Sequence, residues 1–596
     1  MFPTGPKVAI QSMPQSRVLS GDTGSDVALG RLSAWLDVCS STHPACASNE
    51  AGLPSRVVDV TEIQRGGVSG VKLVETGPGE AGTYVCLSHC WGLTPIKCCT
   101  TRATLRDQYN LIEFASLPKN FRDAVAVTRK LGIQFIWIDS LCIVQDDITD
   151  WEVESAKMAT IYRNAYLTIA VAASADSTGG CFHTTSADLL ISPESGGNSS
   201  IILGARQSNR DSPSWDKSVA QQHFPLFRRG WVFQERLLSR RVVYFGYGEL
   251  AFECLETSTC ECGNKSLPPH PPTSFNGEVA ITIKKTHRKL IARAAKGGDL
   301  MSVLPQWREM VTRYMSLSLT KRTDILPALS GCARIVRDWT GDEYIAGMWK
   351  RTLHHELMWH TMSTNKVSRD GCWTAPSWSW ASIPPGQDVA FFQFNVPTSG
   401  TVFNFLRGAI RSVQCEIDGQ NDLGAVKSGR LEISARIFPC FIRKFCVDME
   451  SQKVAPRTTR YHLHVFRERG RNLTHKDRCC EADVSARESR VDLQGGDLLF
   501  KNDEPPSEIL SFEYFKACQG CALAKVWLMR MASKEERGEC VDLFMVLARD
   551  RGTGESGIFR RAGVMLFSEH AALDRKRWFD EIWGVSALSE SVITIV

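Results

Sequence analysis

FIWIDSLCIVQDDITDWEVESAKMATIYRNA, residues 135–165, decides how this chain is read. An apolar run, Phe135–Asp139, ends on an acid. Two more acids, Asp146 and Asp147, follow in a loop, and a helix is expected over Trp151–Asn164. With about 100° between successive helix residues, Trp151, Met158, Ile161, Tyr162 and Ala165 share one stripe. Glu154 falls in the middle of that stripe, while Glu152 points toward water. A carboxylate on the buried face of an amphipathic helix is costly unless paired or protonated. Glu154 is therefore the leading candidate for a chemical role. The competing role is a structural carboxylate tied to Arg229, Arg236 or backbone N–H groups.

The same rhythm extends on both sides. Tyr84–Ser88 has the pattern of a buried strand. Leu117–Leu131 predicts a helix with Pro118 in its first turn and Gly132 as its stop. Tyr166–Ala173 predicts a third strand, and Val57–Val74 a strand or two leading into the core. Arg240–Cys254 predicts a hairpin around Gly246-Tyr247-Gly248. Short apolar strands alternating with amphipathic helices predict an α/β fold with a parallel sheet flanked by helices, doubly wound. A mainly helical segment and a β-rich C-terminal region should follow. The expected divisions are an N-terminal extension (1–55), the α/β domain (56–260), a helical middle (261–371) and the β-rich region (372–596).

Composition sets further bounds. A chain of 596 residues exceeds one hydrophobic core, and length alone suggests three or four domains. Hydrophobic content of 43% and charged content of 23% are those of a globular protein. The net charge of +5 gives no reason to expect a nucleic-acid partner, and the basic stretch 284–296 is expected to be a solvated helix face. The N-terminal MFPTGPKVAIQSMPQS lacks the unbroken apolar core of a signal peptide, and no apolar run approaches the ~18 residues of a membrane span. A cytoplasmic location with mostly reduced cysteines is the expectation. Cys254, Cys260 and Cys262, the Cys479-Cys480 pair and Cys518-Gln519-Gly520-Cys521 are irregularly spaced, so no metal site is expected.

In an open parallel sheet ligands sit beyond the carboxyl ends of the strands. Three islands should meet there: Ser88-His89-Cys90-Trp91-Gly92, then Asp139-Ser140 with Glu154 behind it, then Arg229-Gly230-Trp231-Val232-Phe233-Gln234-Glu235-Arg236. Trp91 offers a ring to stack on a base or nicotinamide, and Gly92 lets backbone approach a phosphate. Asp139 ends a strand, where ligand-binding acids often sit. Arg229 suits a phosphate or a carboxylate partner. Ser88 joins these as a ligand contact. Gln234 and Glu235 are expected to knit the third block to the sheet, and Trp231 to sit in the core.

Together the islands resemble the heterokaryon-incompatibility (HET) domain of filamentous-fungal proteins. Leu87-Ser88-His89-Cys90-Trp91-Gly92 matches its first block, with His89 where Tyr is more usual. Trp137-Ile138-Asp139-Ser140-Leu141-Cys142-Ile143-Val144-Gln145-Asp146-Asp147 matches the second. Glu154, Met158 and Ile161-Tyr162-Arg163-Asn164-Ala165 match the helix after it, and Arg229, Trp231, Gln234 and Glu235 match the third. The resemblance covers about residues 84–236.

It implies a part in non-self recognition and programmed cell death when genetically different fungal cells fuse. Self-association or other incompatibility proteins are the implied partners. The domain is also distantly similar to TIR domains, several of which cleave NAD with a glutamate on the helix after a central strand. That likeness implies NAD as a candidate substrate and Glu154 as the catalytic residue, stabilising an oxocarbenium-like centre or orienting water. The alternative is a non-enzymatic interaction module acting by self-association.

Overall fold

The computed structural model describes residues 19–47, 52–93, 96, 98–184, 189–191, 203–205, 224–261, 284, 300–361, 373–387, 389–391, 404–405, 410–444, 461–464, 500–502, 522–536, 539–549, 557–568 and 591–596. The chain divides into two compact units, residues 1–297 with 328–332, and residues 298–327 with 333–596.

The first unit opens with α1 (Asp26–Thr42), β1 (Arg56–Arg65) and β2 (Val68–Glu75). Next come β3 (Tyr84–Ser88), α2 (Leu105–Gln108), β4 (Ile112–Glu113) and α3 (Lys119–Lys130). The stretch quoted at the outset forms β5 (Phe135–Trp137), the single turn α4 (Asp139–Cys142) and α5 (Ile148–Asn164), and β6 (Leu167–Ala170) follows. A separate hairpin pairs β7 (Leu189–Ile191) with β8 (Leu203–Ala205). Last come α6 (Gly230–Leu238), β9 (Arg241–Phe245), β10 (Leu250–Cys254) and β11 (Ser258–Cys260).

Nine strands form one sheet in the order β11-β10-β9-β6-β3-β5-β1-β2-β4. The neighbours β5, β3, β6 and β9 run parallel. The outer pairs are antiparallel, so the sheet is mixed where a parallel one was expected. The reason lies in the connections. Parallel neighbours require a crossover segment, whereas β1–β2 and β9–β10 are joined by tight turns that permit only antiparallel pairing. Gly66 and Gly67, both at positive φ, make the first of those turns. Every residue of β3, β6, β9 and β10 is buried, as expected where both sheet faces are covered.

Local signals explain the helices that frame the site. Pro118 stands at the N-cap of α3, and Gly132 at φ +70° ends it. Asp147 caps α5 by accepting from Thr149 N (3.0 Å) and Asp150 N (3.2 Å). Asp139 opens the turn α4, so the strand before it is shorter than its apolar run suggests. Residues 26–46, expected as an extension outside the domain, pack into it: Ala28, Leu32, Leu36, Cys39 and Cys46 join the core of β3, α3, β5 and α5. Lys284 is buried, not solvated, with Nζ donating to the Ser239 carbonyl oxygen. The rest of its basic stretch lies outside the described residues, as do Cys262, Cys479, Cys480, Cys518 and Cys521 and most of 177–218 and 467–506.

The second unit begins with the helix Leu300–Met315. A ten-stranded sheet dominates the rest: eight strands run in the order Ile410–Ile417, Val426–Ala435, Ser591–Ile595, Ile558–Ser568, Glu539–Arg549, Ala522–Glu536, Ile437–Lys444 and Tyr461–His464, while Asn404–Phe405 pairs with Ala522–Glu536 and Phe500–Asn502 with Ile558–Ser568. The β-rich C-terminal region is thus observed. The Trp-rich turn 375–382 is fully interior: Trp359 Nε1 donates to Trp378 O and Trp380 Nε1 to Gly347 O, both at 2.9 Å. Among the described residues no helix is long and apolar enough to cross a membrane.

Candidate functional site

β3 and β5 are parallel neighbours, so their carboxyl ends emerge side by side. β3 delivers Ser88 and His89, and the chain then turns at Trp91-Gly92. Asp139 stands just beyond β5, and Arg229 precedes α6. Three contacts tie these islands together. Trp91 Nε1 donates to Asp139 Oδ2 at 2.9 Å. His89 Nδ1 stands 4.0 Å from Asp139 Oδ1. Arg229 Nη1 donates to the His89 carbonyl oxygen. Asp139 also accepts from Ser140 N at 2.8 Å, which fixes the carboxylate at the start of α4.

Gly92 is required by its backbone. It sits at φ +82°, and a Cβ there would lie 2.5 Å from Asp176 Cβ. The glycine lets the turn after β3 pass close to the chain beyond β6.

Electrostatics single out two buried groups. Burial pushes the Glu235 carboxyl up to about 7, and nearby Asp139 adds to the rise. The Ser88 hydroxyl, the Arg229 guanidinium and the Tyr162 hydroxyl oppose it without cancelling the burial. Ser88 Oγ faces this acid but lacks the geometry of a full hydrogen bond. Burial likewise pushes His89 down to about 4; Asp139 opposes that and Arg229 reinforces it. His89 packs edge-on against Phe121 with ring centres 5.1 Å apart, and its Nε2 has no hydrogen-bond partner among the described residues. Near neutral pH the site therefore holds a neutral imidazole and a carboxyl poised between its two forms. Such a carboxyl can give or take a proton at little cost.

Glu154 is buried, 3% exposed, as its place on α5 predicts. Its partner is neither Arg229 nor Arg236: Oε1 accepts from Lys157 Nζ at 2.9 Å, and that ammonium also donates to Ser55 Oγ at 2.9 Å. Glu154 Oε2 is buried without a hydrogen-bond partner among the described residues. The contacts that join Ser88, Trp91, Asp139, Arg229 and Glu235 do not include it. A cavity of about 340 Å³ is lined by Val60, Arg129, Ile133 and Gln134, and by none of the candidate site residues.

The third block divides its labour. Gln234 Oε1 accepts from Gly331 N at 2.8 Å, at a glycine whose added Cβ would lie 2.2 Å from Ala159 Cβ. Trp231 is half-buried against the main core. Arg236 pairs with Glu253 (Nε to Oε2, 2.9 Å), and the Tyr244 hydroxyl donates to the same oxygen at 2.7 Å. Burial alone would raise Glu253, but Arg236 and Lys284 hold it below its ordinary value. Neither this pair nor the Arg56–Asp150 fork (2.6 and 2.7 Å) was evident in the sequence, because each joins residues from separate elements.

Residues 84–235 match the family model of the heterokaryon incompatibility protein (HET), from the start of β3 to the acid in α6. No curated protein and no solved structure matches the chain. The first unit thus carries a HET-family region whose matched span contains every contact that closes the site.

Proposed function

We propose that this protein is an incompatibility effector that acts in the cytoplasm. Its strand-end site takes a nucleotide such as NAD, and ligand turnover or occupancy there drives cell death. The observation that carries this reading is the meeting of Trp91, Asp139, Arg229 and Glu235 at the carboxyl ends of parallel strands. In open α/β sheets that is where ligands bind. Taken in chain order, the parallel strands lie second-first-third-fourth, the order of flavodoxin-like sheets, which supports the analogy with TIR domains.

In this reading the Trp91 ring stacks on a base or nicotinamide, Arg229 meets a phosphate, and Asp139 accepts from a sugar hydroxyl. Glu235 is the acid whose protonation suits proton transfer near neutrality. Glu154, on the helix after the central strand, is the alternative acid by analogy. The test uses the full chain, expressed in a fungal host and purified, with NAD consumption and cell killing measured for wild type, Glu235→Gln and Glu154→Gln. Loss of both activities in a folded variant identifies the acid. Killing by wild type with no NAD consumption overturns the hydrolytic reading.

A second reading is a non-enzymatic module that signals by self-association, with the second unit recognising a partner. Exposed Leu93, after β3, and exposed Ile148, at the start of α5, favour it, because both are large apolar side chains in segments that follow parallel strands. Light scattering of wild type against a Leu93→Asp/Ile148→Asp variant tests it. An unchanged mass together with unchanged killing would remove this reading.

A further inference from the structure

Outside the matched region, four side chains from the two ends of the first unit meet. Cys39 lies in the last turn of α1, His43 is the residue that caps it, and Cys46 follows in a short turn. Cys254 ends β10. Their ligand atoms, three Sγ and one imidazole nitrogen, all lie within 4.8 Å of one another. All three cysteines are free thiols. We infer that Cys39, His43, Cys46 and Cys254 form a structural zinc site.

Geometry supports the inference first. Tetrahedral zinc with Zn–S near 2.3 Å and Zn–N near 2.0–2.1 Å places sulfur and nitrogen ligands roughly 3.6 Å apart. Cys254 Sγ and His43 Nδ1 are 3.4 Å apart. Four protein ligands leave no open position, which is the pattern of a structural centre. Three thiolates with one imidazole favour zinc over harder cations, which prefer oxygen.

The surroundings supply an independent argument. Glu256 N (3.4 Å) and Thr257 N (3.3 Å) both donate to Cys254 Sγ, as amides do to a sulfur that carries negative charge. Arg241 is fully buried, and no carboxylate pairs with it among the described residues. Its Nε points at Cys39 Sγ (3.2 Å), its Nη2 at Cys46 O (2.9 Å), and its guanidinium lies over the Tyr166 ring. A buried cation without a counter-charge is costly. Zinc binding resolves that: Zn²⁺ displaces three thiol protons to solvent, neutral His43 donates its lone pair, and the resulting centre carries one negative charge. Arg241 neutralises it.

The ligands span residues 39 to 254, whereas the family match ends at 235. The metal would join α1 to the end of β10, making the N-terminal helix an obligatory part of the folding unit. The spacing Cys39-x-x-x-His43-x-x-Cys46 supplies three ligands, and the fourth is supplied only by the fold.

The test uses the full chain, purified under reducing conditions without chelator. Metal content is measured by inductively coupled plasma mass spectrometry, and alkylation of each cysteine is mapped by peptide mass spectrometry with and without a zinc chelator. We expect the wild type to carry one zinc equivalent more than Cys254→Ser, and Cys39, Cys46 and Cys254 to become reactive together on chelation. Cobalt loaded into the wild type should give the visible spectrum of a tetrahedral thiolate site. The chelation and cobalt arms need no variant, so they stand if Cys254→Ser fails to fold. Equal zinc in wild type and variant, alkylation of the three thiols indifferent to chelator, or a disulfide between any two of them would each overturn the site.

Discussion

The indole nitrogen of Trp91 donates to Asp139 Oδ2 across 2.9 Å, bridging two strand ends that lie 48 residues apart in the chain. This bond joins the first and second islands. Arg229, through the His89 carbonyl, brings in the third.

Replacing Trp91 with Phe keeps the ring and removes the donor. A hydrogen bond to a charged group contributes ~1.5–3 kcal/mol when buried. Asp139 retains access to water, its side chain being 22% exposed, so about 1 kcal/mol of lost stability is expected. Urea denaturation of wild type and Trp91→Phe measures it. A loss above about 3 kcal/mol would mean that the ring, too, has been displaced.

The Arg236–Glu253 pair should be far more costly to break. Both side chains are nearly inaccessible, and removing one partner strands a buried charge, at about 3–5 kcal/mol. Arg236→Ala should therefore lower the denaturation midpoint steeply. Arg236→Met combined with Glu253→Gln should recover much of the loss, and no recovery would show that shape rather than charge is decisive.

Glu235 and His89 give opposing pH dependences. Glu235 is raised from 4.5 to about 7, so the native state holds its proton more tightly than the unfolded chain. Its contribution is full below pH 4.5 and is lost as pH rises through 7. His89 is lowered from 6.5 to about 4, so its contribution is present above pH 6.5 and lost as pH falls through 4. Between pH 4.5 and 6.5 the two slopes oppose each other. Glu235→Gln should leave stability rising with pH across that window, as seen in denaturation midpoints. A flat profile in the variant would contradict the assignment to His89.

Gly92→Ala combines a left-handed backbone with a clash against Asp176. A penalty of at least ~1–2 kcal/mol is expected from the backbone alone, visible as a lower melting temperature. An unchanged melting temperature would show that the turn relaxes freely.

Much of the first unit was legible because its signals are local. The 3.6-residue stripe of α5 placed Met158, Ile161, Tyr162 and Glu154 inward, and all four are buried. Pro118 and Gly132 bracket α3, and the hairpin of β9 and β10 followed from its glycine-rich turn. The β-rich C-terminal region was likewise expected, and strands fill it. Less legible were the antiparallel flanks of the sheet, because strand order depends on which edges meet. Glu235 was expected only to knit the third block to the sheet, since its raised carboxyl comes from burial and from Asp139, a neighbour far away in sequence.

The sequence by itself determined β3, β5, β6, α3 and α5 and the burial of Glu154, because periodicity and turn chemistry act over a few residues. Only the tertiary structure decided which charges and thiols become neighbours. It made Glu235 the acid beside Asp139 and brought His43 to Cys254 across 211 residues. Desolvation and Coulomb interactions act through space, and distance along the chain does not encode them.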